Sequence, residues 1–184
     1  GVVGGKPRYV YSDLGLVMLQ KIVERVSKIP LDAFVAQHFY YPLGISGLTY
    51  NPLTRFPAQQ IAPTEDDKRY RGELLRGTVH DQMAALVGGV SGHAGLFGNV
   101  YDLATLFQMN LNKGMYGGKK YITSETIQLF ARLADQHAGR GLGWDKPRTT
   151  DNNSYLSEIA SPSSFGHTGF TGNVVWIDPA KDLI

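Results

Sequence analysis

The apolar residues of this 184-residue chain change their spacing once, and that change limits the folds open to it. Up to about residue 131, wherever they carry a period, they recur every three or four positions, as on one face of a helix. Leu14, Met18, Ile22, Val23 and Val26 form the first such stripe, behind Ser12 and Asp13, either of which can cap a helix. Pro30 ends it and opens a shorter helix to about Phe39, which Tyr41-Pro42-Leu43-Gly44 breaks. Residues 79–87 read as a short helix stopped by Gly88-Gly89. Asn99 caps a longer one, whose Leu103, Leu106, Phe107 and Leu111 share a face and which Gly114 closes. Thr123 or Ser124 caps the last, with Ile127, Phe130 and Ala131 inward. After Gly139 the texture becomes β. Residues 141–144 and 173–177 read as short strands, the second followed by the turn 178–182 and by Leu183-Ile184 as the start of a return strand. Helices first and antiparallel strands last predict an α+β arrangement, mainly helical over 1–138 and mainly β over 139–184.

Three stretches carry no period. Residues 1–10 are Gly-rich, with 8–11 extended. Residues 42–77, with prolines at 42, 52, 57 and 63, read as a long irregular excursion, and long loops of this kind tend to be functional. Residues 89–98 are too Gly-rich for a regular element. There is no internal repeat and no low-complexity linker.

Composition narrows the function classes. Hydrophobic content of 42% with 18% charged residues fits a folded, nearly neutral protein. A formal charge of +2, with basic residues scattered, argues against a nucleic-acid partner. The densest basic run, Lys68-Arg69-Tyr70-Arg71, reads as a solvated loop. The absence of cysteine excludes disulfides and thiolate sites and fits the cytoplasm or a periplasmic protein without disulfides. No apolar run reaches the ~20 residues of a membrane span. The histidines show neither His-x-His nor His-Glu-x-x-His spacing, so neither metal nor cofactor is expected. The chain begins Gly-Val-Val-Gly-Gly and not with Met, so the lack of a signal peptide says little about compartment.

Tyr11-Ser12-Asp13 opens the first helix. A phenol is a poor base near neutral pH, but a nearby cation and the field of a helix start both favour its anion. Such a Tyr can take a proton from a hydroxyl and return it to a leaving group; by itself the tripeptide also fits an ordinary half-buried Tyr before a helix. Gly166-His167-Thr168-Gly169-Phe170-Thr171-Gly172 leads into an apolar strand. In an edge strand lining a cleft, alternate residues point toward a ligand and the backbone can pair with it. His167 or Thr168 could bind a carboxylate or carbonyl there, and Gly169 allows close approach. Gly92-His93-Ala94-Gly95 could hold backbone N–H groups in a concave nest, and His80-Asp81 could be an oriented imidazole.

Taken in order along nearly the whole chain, these segments resemble the serine β-lactamase and penicillin-binding-protein superfamily, in the branch with AmpC-type enzymes, DD-peptidases and family VIII-type esterases. The matching set is Tyr11-Ser-Asp-Leu-Gly15, Tyr41-Pro-Leu-Gly44 with Thr49, Val79-His80-Asp81, Gly92-His-Ala-Gly-Leu-Phe97 with Asp102-Leu-Ala104, and Gly166-His-Thr-Gly169. The resemblance implies a β-lactamase/transpeptidase-like fold, here a helical region plus part of an antiparallel sheet, expected to be a single partial domain over 1–184 and incomplete at both ends. It implies catalytic roles for Tyr11, Asp13 and His167, and substrate contacts from Ser12, His93, Thr168 and Gly169. Tyr11 would be the general base of acylation and the general acid toward the leaving group. Asp13 stands where the family has Asn and, when ionised, offers no donor. His167 stands where the family has Lys and lacks its permanent charge. Both departures favour an esterase or peptidase over a true β-lactamase.

The family's Ser-x-x-Lys nucleophile motif is absent from these residues. The chain is therefore expected to be the C-terminal portion of a serine acyl hydrolase for an ester, amide or β-lactam, inactive alone and prone to self-association. The alternative is a noncatalytic module that binds peptidoglycan-type peptides. The resemblance favours the periplasm or cell envelope.

Overall fold

The computed structural model describes residues 9–134, 139–147 and 159–184, and the backbone of 2–3 and 6–7. The extended reading of residues 8–11 lies outside these at residue 8. In chain order the elements are β1 (Val2–Val3), β2 (Lys6–Pro7), α1 (Leu14–Ser27), α2 (Leu31–Val35), β3 (Thr49–Tyr50), β4 (Pro63–Asp67), β5 (Glu73–Arg76) and α3 (Gln82–Leu86). There follow β6 (Leu96–Phe97), α4 (Val100–Leu111), β7 (Met115–Tyr116), β8 (Lys119–Lys120), α5 (Ser124–Ala131), β9 (Phe165–Thr168) and β10 (Val174–Ile177). They form two compact units, Tyr11–Leu103 and Gly1–Val10 with Ala104–Ile184. Among the described residues no helix is long and apolar enough to cross a membrane.

In the Tyr11–Leu103 unit, α1 follows the predicted stripe. Asp13 stands at its N-cap in helical conformation (φ −65°, ψ −27°), and its carboxylate makes no capping bond. Side-chain capping favours an extended residue at that position, which orients the oxygen toward the next amides. The helix stops at Lys28, whose left-handed backbone (φ 61°) lets its N–H donate to Glu24 O at 2.9 Å. The Glu24 carboxylate also accepts from Leu31 N, so the end of α1 caps the start of α2 behind Pro30. A π-helical turn, Ala36–Tyr40, continues α2 and buries Tyr40. The apolar stripe of α1 is not covered: Leu14, Met18, Ile22 and Val26 are 62%, 62%, 54% and 79% exposed, whereas Gln20 is buried.

The excursion 42–77 is more regular than its composition predicts. β4 and β5 form an antiparallel hairpin, and β3 pairs antiparallel with β6, which draws Leu96-Phe97 of the Gly-rich stretch into a strand. The hairpin is held at its turn, and not by an apolar face. The buried Asp67 carboxylate accepts from the backbone N–H groups of Arg69, Tyr70 and Arg71 and from Arg71 Nε at 2.8 Å. Arg71 also donates to Val79 O and His80 O, anchoring the hairpin to the segment before α3. Arg71 therefore departs from the solvated-loop reading of the basic run, because its charge is needed by a buried carboxylate. Beneath lies a core that includes Tyr40, Leu43, Ile45, Leu48, Ile61, Leu75, Val79 and Ala84. Fully burying one such aliphatic side chain is worth about 1.5–3 kcal/mol.

In the other unit, Gly114 N donates to Met109 O at the end of α4, and Thr123 Oγ accepts from Thr126 N to cap α5. Ile127 of α5 is buried, but Phe130, predicted inward, is exposed. β9 and β10 pair antiparallel with His167 opposite Val175. Residues 141–144 are a tight turn and not the predicted strand: Gly141 N donates to Trp144 O at 2.8 Å, and Leu142 N to Phe130 O at 3.0 Å. The turn leaves Trp144 edge-on between Phe107 and Phe165, with centroids at 5.8 and 5.3 Å, in a core shared with Met109 and Ile177. Leu183 meets Asp178 in one antiparallel bridge after the turn.

Candidate active site

The residues singled out by sequence fall in three places. Tyr11, Ser12 and Asp13 stand at the start of α1, with Tyr11 and Ser12 exposed and Asp13 half-buried. Two other phenols of that unit are excluded as bases by their surroundings. Burial pushes Tyr50 up to about 12 and Tyr40 higher still. Tyr11 instead is exposed and stands two residues before the N-cap of α1.

The second place is the Gly-rich loop before β6. His93 Nε2 lies 2.9 Å from Asp81 Oδ1, and His93 Nδ1 lies 2.9 Å from Ser91 Oγ. The carboxylate can only accept, so Nε2 carries the proton and Nδ1 accepts from the serine hydroxyl. Asp81 Oδ1 also accepts from Ala84 N at 2.7 Å and so caps α3. Burial raises the Asp81 pKa, but the Ala84 N–H and the His93 contacts outweigh it, and the net direction is down. Hydrogen-bond polarity runs Ser91 to His93 to Asp81, as in a catalytic triad. However, Ser91 is buried and the His93 side chain is only 3% exposed, so this array holds structure and presents no nucleophile. His93 thus stands among internal partners, where the resemblance implied a substrate contact. The loop is also fastened to α1: Gly92 N donates to Gln20 Oε1 at 3.1 Å and Gln20 Nε2 to Val90 O at 3.3 Å. A Cβ at Gly92 would collide with Leu16 O, which explains the glycine.

The third place is β9. His167 and Thr168 are half-buried and Gly169 is exposed. β10 covers one edge of the strand, and on the other Gly166 exchanges two backbone hydrogen bonds with Asp145, at 2.8 and 3.1 Å. Among the described residues no bridge continues past Gly166 on that side, so Thr168, the next residue whose backbone faces that edge, lies where an extended ligand could pair. Close packing requires glycine at 166, where a Cβ would meet Val175 O and the Trp176 backbone and ring. Among the described residues the nearest atom to a Cβ at Gly169 is 3.5 Å away, an ordinary contact that does not itself require glycine.

Arg140 and Asp145 complete this cluster. Arg140 Nη1 is 3.1 Å from His167 Nε2 and 2.8 Å from Asp145 Oδ1, and its guanidinium lies over the Tyr9 ring with its carbon 5.8 Å from the centroid. Next along the chain, buried Lys146 donates to Ser163 O at 3.0 Å, and burial pushes its pKa down. No spacing pattern pointed to Arg140, 27 positions before His167. The only sequence signal was its place directly before the Gly141-Leu-Gly-Trp144 turn. Among the described residues no three of His, Cys, Asp and Glu come together to hold a metal.

Comparison with known proteins places this geometry. The chain is 39% identical, over 188 aligned positions, to an Escherichia coli O157:H7 protein whose name marks it provisionally as a D-alanyl-D-alanine carboxypeptidase; the match covers 96% of this chain and 43% of that one. The chain therefore spans less than half the length of the curated relatives it matches. An octameric penicillin-binding-protein homologue from Pyrococcus abyssi superposes with a TM-score of 0.66 at 20% identity, covering 98% of this chain and 38% of that one. A Mycobacterium bovis β-lactamase superposes with a TM-score of 0.62 at 20% identity, covering 96% and 54%. At such identities these two establish a shared β-lactamase/transpeptidase-like fold. The family model described as Beta-lactamase matches residues 6–184, the span that holds Tyr11-Ser-Asp, the His93 loop and β9, and the chain belongs to that family.

Proposed function

We propose that these residues are part of a serine acyl hydrolase that works through an acyl-enzyme, with Tyr11 moving the proton and β9 aligning the substrate. The observation that carries the reading is that the Beta-lactamase family match spans both motifs, Tyr11-Ser12-Asp13 with its exposed Tyr before α1 and His167-Thr168-Gly169 at the end of β9. In such a reaction the serine oxygen attacks a carbonyl, its proton passes to the Tyr phenolate, and the phenol returns that proton to the leaving group as the carbonyl re-forms. Asp13 flanks Tyr11 as an acceptor, Ser12 offers a hydroxyl, and Thr168, beside the small and exposed Gly169, lines the path of the substrate chain. The substrate class is an ester, amide or β-lactam. The relatives' names favour the amide of a peptide ending in D-alanyl-D-alanine, which implies a cell-envelope setting.

The test is to incubate the full-length gene product with a fluorescent penicillin and map the adduct. A single modified serine with Lys three residues on supports the reading. No adduct, with retained binding of a peptidoglycan-type peptide, would establish the noncatalytic module instead. The 184-residue chain alone, which has no Ser-x-x-Lys, should give no turnover. We also propose that this chain self-associates through the uncovered stripe of α1; light scattering that finds a monomer at high concentration would contradict it.

A further inference from the structure

The His in the strand motif stands where the family has a lysine, yet the structure supplies a permanent cation nearby. Arg140 Nη1 faces His167 Nε2 at 3.1 Å, and His167 Nδ1 faces Thr168 O at 2.6 Å. A guanidinium can only donate and a carbonyl can only accept. Nε2 is therefore the acceptor and Nδ1 carries the proton, so one neutral tautomer and one ring orientation satisfy both contacts. Asp145 holds the guanidinium in place through the same Nη1 at 2.8 Å, and the backbone of Asp145 is itself bridged to Gly166, one residue before His167. The Arg140 and Asp145 side chains are each 17% exposed, so their charges are only partly screened by solvent.

We propose that Arg140 is a positioning and specificity-determining residue for β9, locking His167 as the Nδ1–H tautomer and bringing to the strand the fixed positive charge that His167 does not itself carry. In this arrangement Nε2 of His167 is engaged as an acceptor and does not donate to substrate. Attraction for a substrate carboxylate then arises from Arg140 acting behind the imidazole. Asp145 offsets part of that charge, so the preference is modest, about tenfold in kcat/KM, and not the several orders a lone buried cation would give. The specificity half of this inference rests on the hydrolase reading; the tautomer half does not.

The test has two arms. In the 184-residue chain, long-range nitrogen–proton NMR of the His167 ring should show Nδ1 protonated and Nε2 bare. Arg140→Met should turn this into exchange between tautomers, while Arg140→Lys should retain it in part. A protonated Nε2 in the wild type, or an unchanged ring in Arg140→Met, overturns the proposal. In the full-length gene product, the ratio of kcat/KM for an acyl-D-alanyl-D-alanine to that for its methyl ester should fall about tenfold in Arg140→Met and partly recover in Arg140→Lys. An unchanged ratio overturns the specificity role. A full-length protein with no turnover on either substrate refutes the hydrolase reading, and the NMR arm still decides the role of Arg140.

Discussion

His93 and His167 have both ring nitrogens engaged inside the protein, but their neighbours carry opposite charges. His93 lies between a carboxylate and a hydroxyl, with its side chain almost fully buried. His167 lies between a guanidinium and a carbonyl, on a half-buried strand with one edge incompletely paired. Asp81 selects Nε2–H in the first ring, and Arg140 selects Nδ1–H in the second. The same side chain is thus a structural clamp in one loop and part of the proposed substrate strand in the other. The difference lies in partners 12 and 27 positions away, and not in the Gly-His-Ala-Gly and Gly-His-Thr-Gly motifs themselves.

Truncating each ring is the strongest way to break this comparison. His93→Ala leaves the buried Ser91 hydroxyl without its partner and removes a charge-assisted bond from Asp81, and should destabilise the chain by about 3 kcal/mol in urea unfolding. His167→Ala should cost about 1 kcal/mol, because that ring is half-buried and Arg140 keeps Asp145. Equal losses would mean that the two sites are not different in kind.

A smaller effect comes with acid. The Arg71 bond, together with backbone donors, holds Asp67 down to about 2, and Asp81 is lowered as well. A carboxyl whose folded pKa lies below its unfolded value contributes stability above the unfolded pKa, near 3.8 for both. That contribution is lost as pH falls through the folded value. Stability from these two groups should therefore be flat above about pH 5 and decline between about pH 4 and pH 2. Asp67→Asn should flatten that decline. A slope in Asp67→Asn equal to the wild type's would contradict the assignment of the acid sensitivity to the hairpin turn.

The parts of the molecule legible in sequence are those with a local cause. α1, α4 and α5 follow their three- and four-residue spacing, and Asn99, Asp81 and Thr123 cap helices through contacts three residues long. The β4–β5 hairpin was hidden because Pro63-Thr-Glu-Asp-Asp67 has no alternation; it forms because Arg71 and three amides gather on one buried carboxylate. The turn 141–144 carried strand-like residues, yet Gly141 and Trp144 close on each other. At the candidate site, Tyr11 and Gly166-His-Thr-Gly169 could be read because the motifs are contiguous. Arg140 could not, because only the chain reversal between residues 140 and 167 brings its charge to the strand.

The most direct measurement is the pre-steady-state acylation rate of the full-length gene product with Tyr11→Phe. If Tyr11 moves the proton, the rate should fall about 10²–10⁴-fold. An acylation rate equal to the wild type's would contradict the role of Tyr11 and, with it, the hydrolase reading of this site.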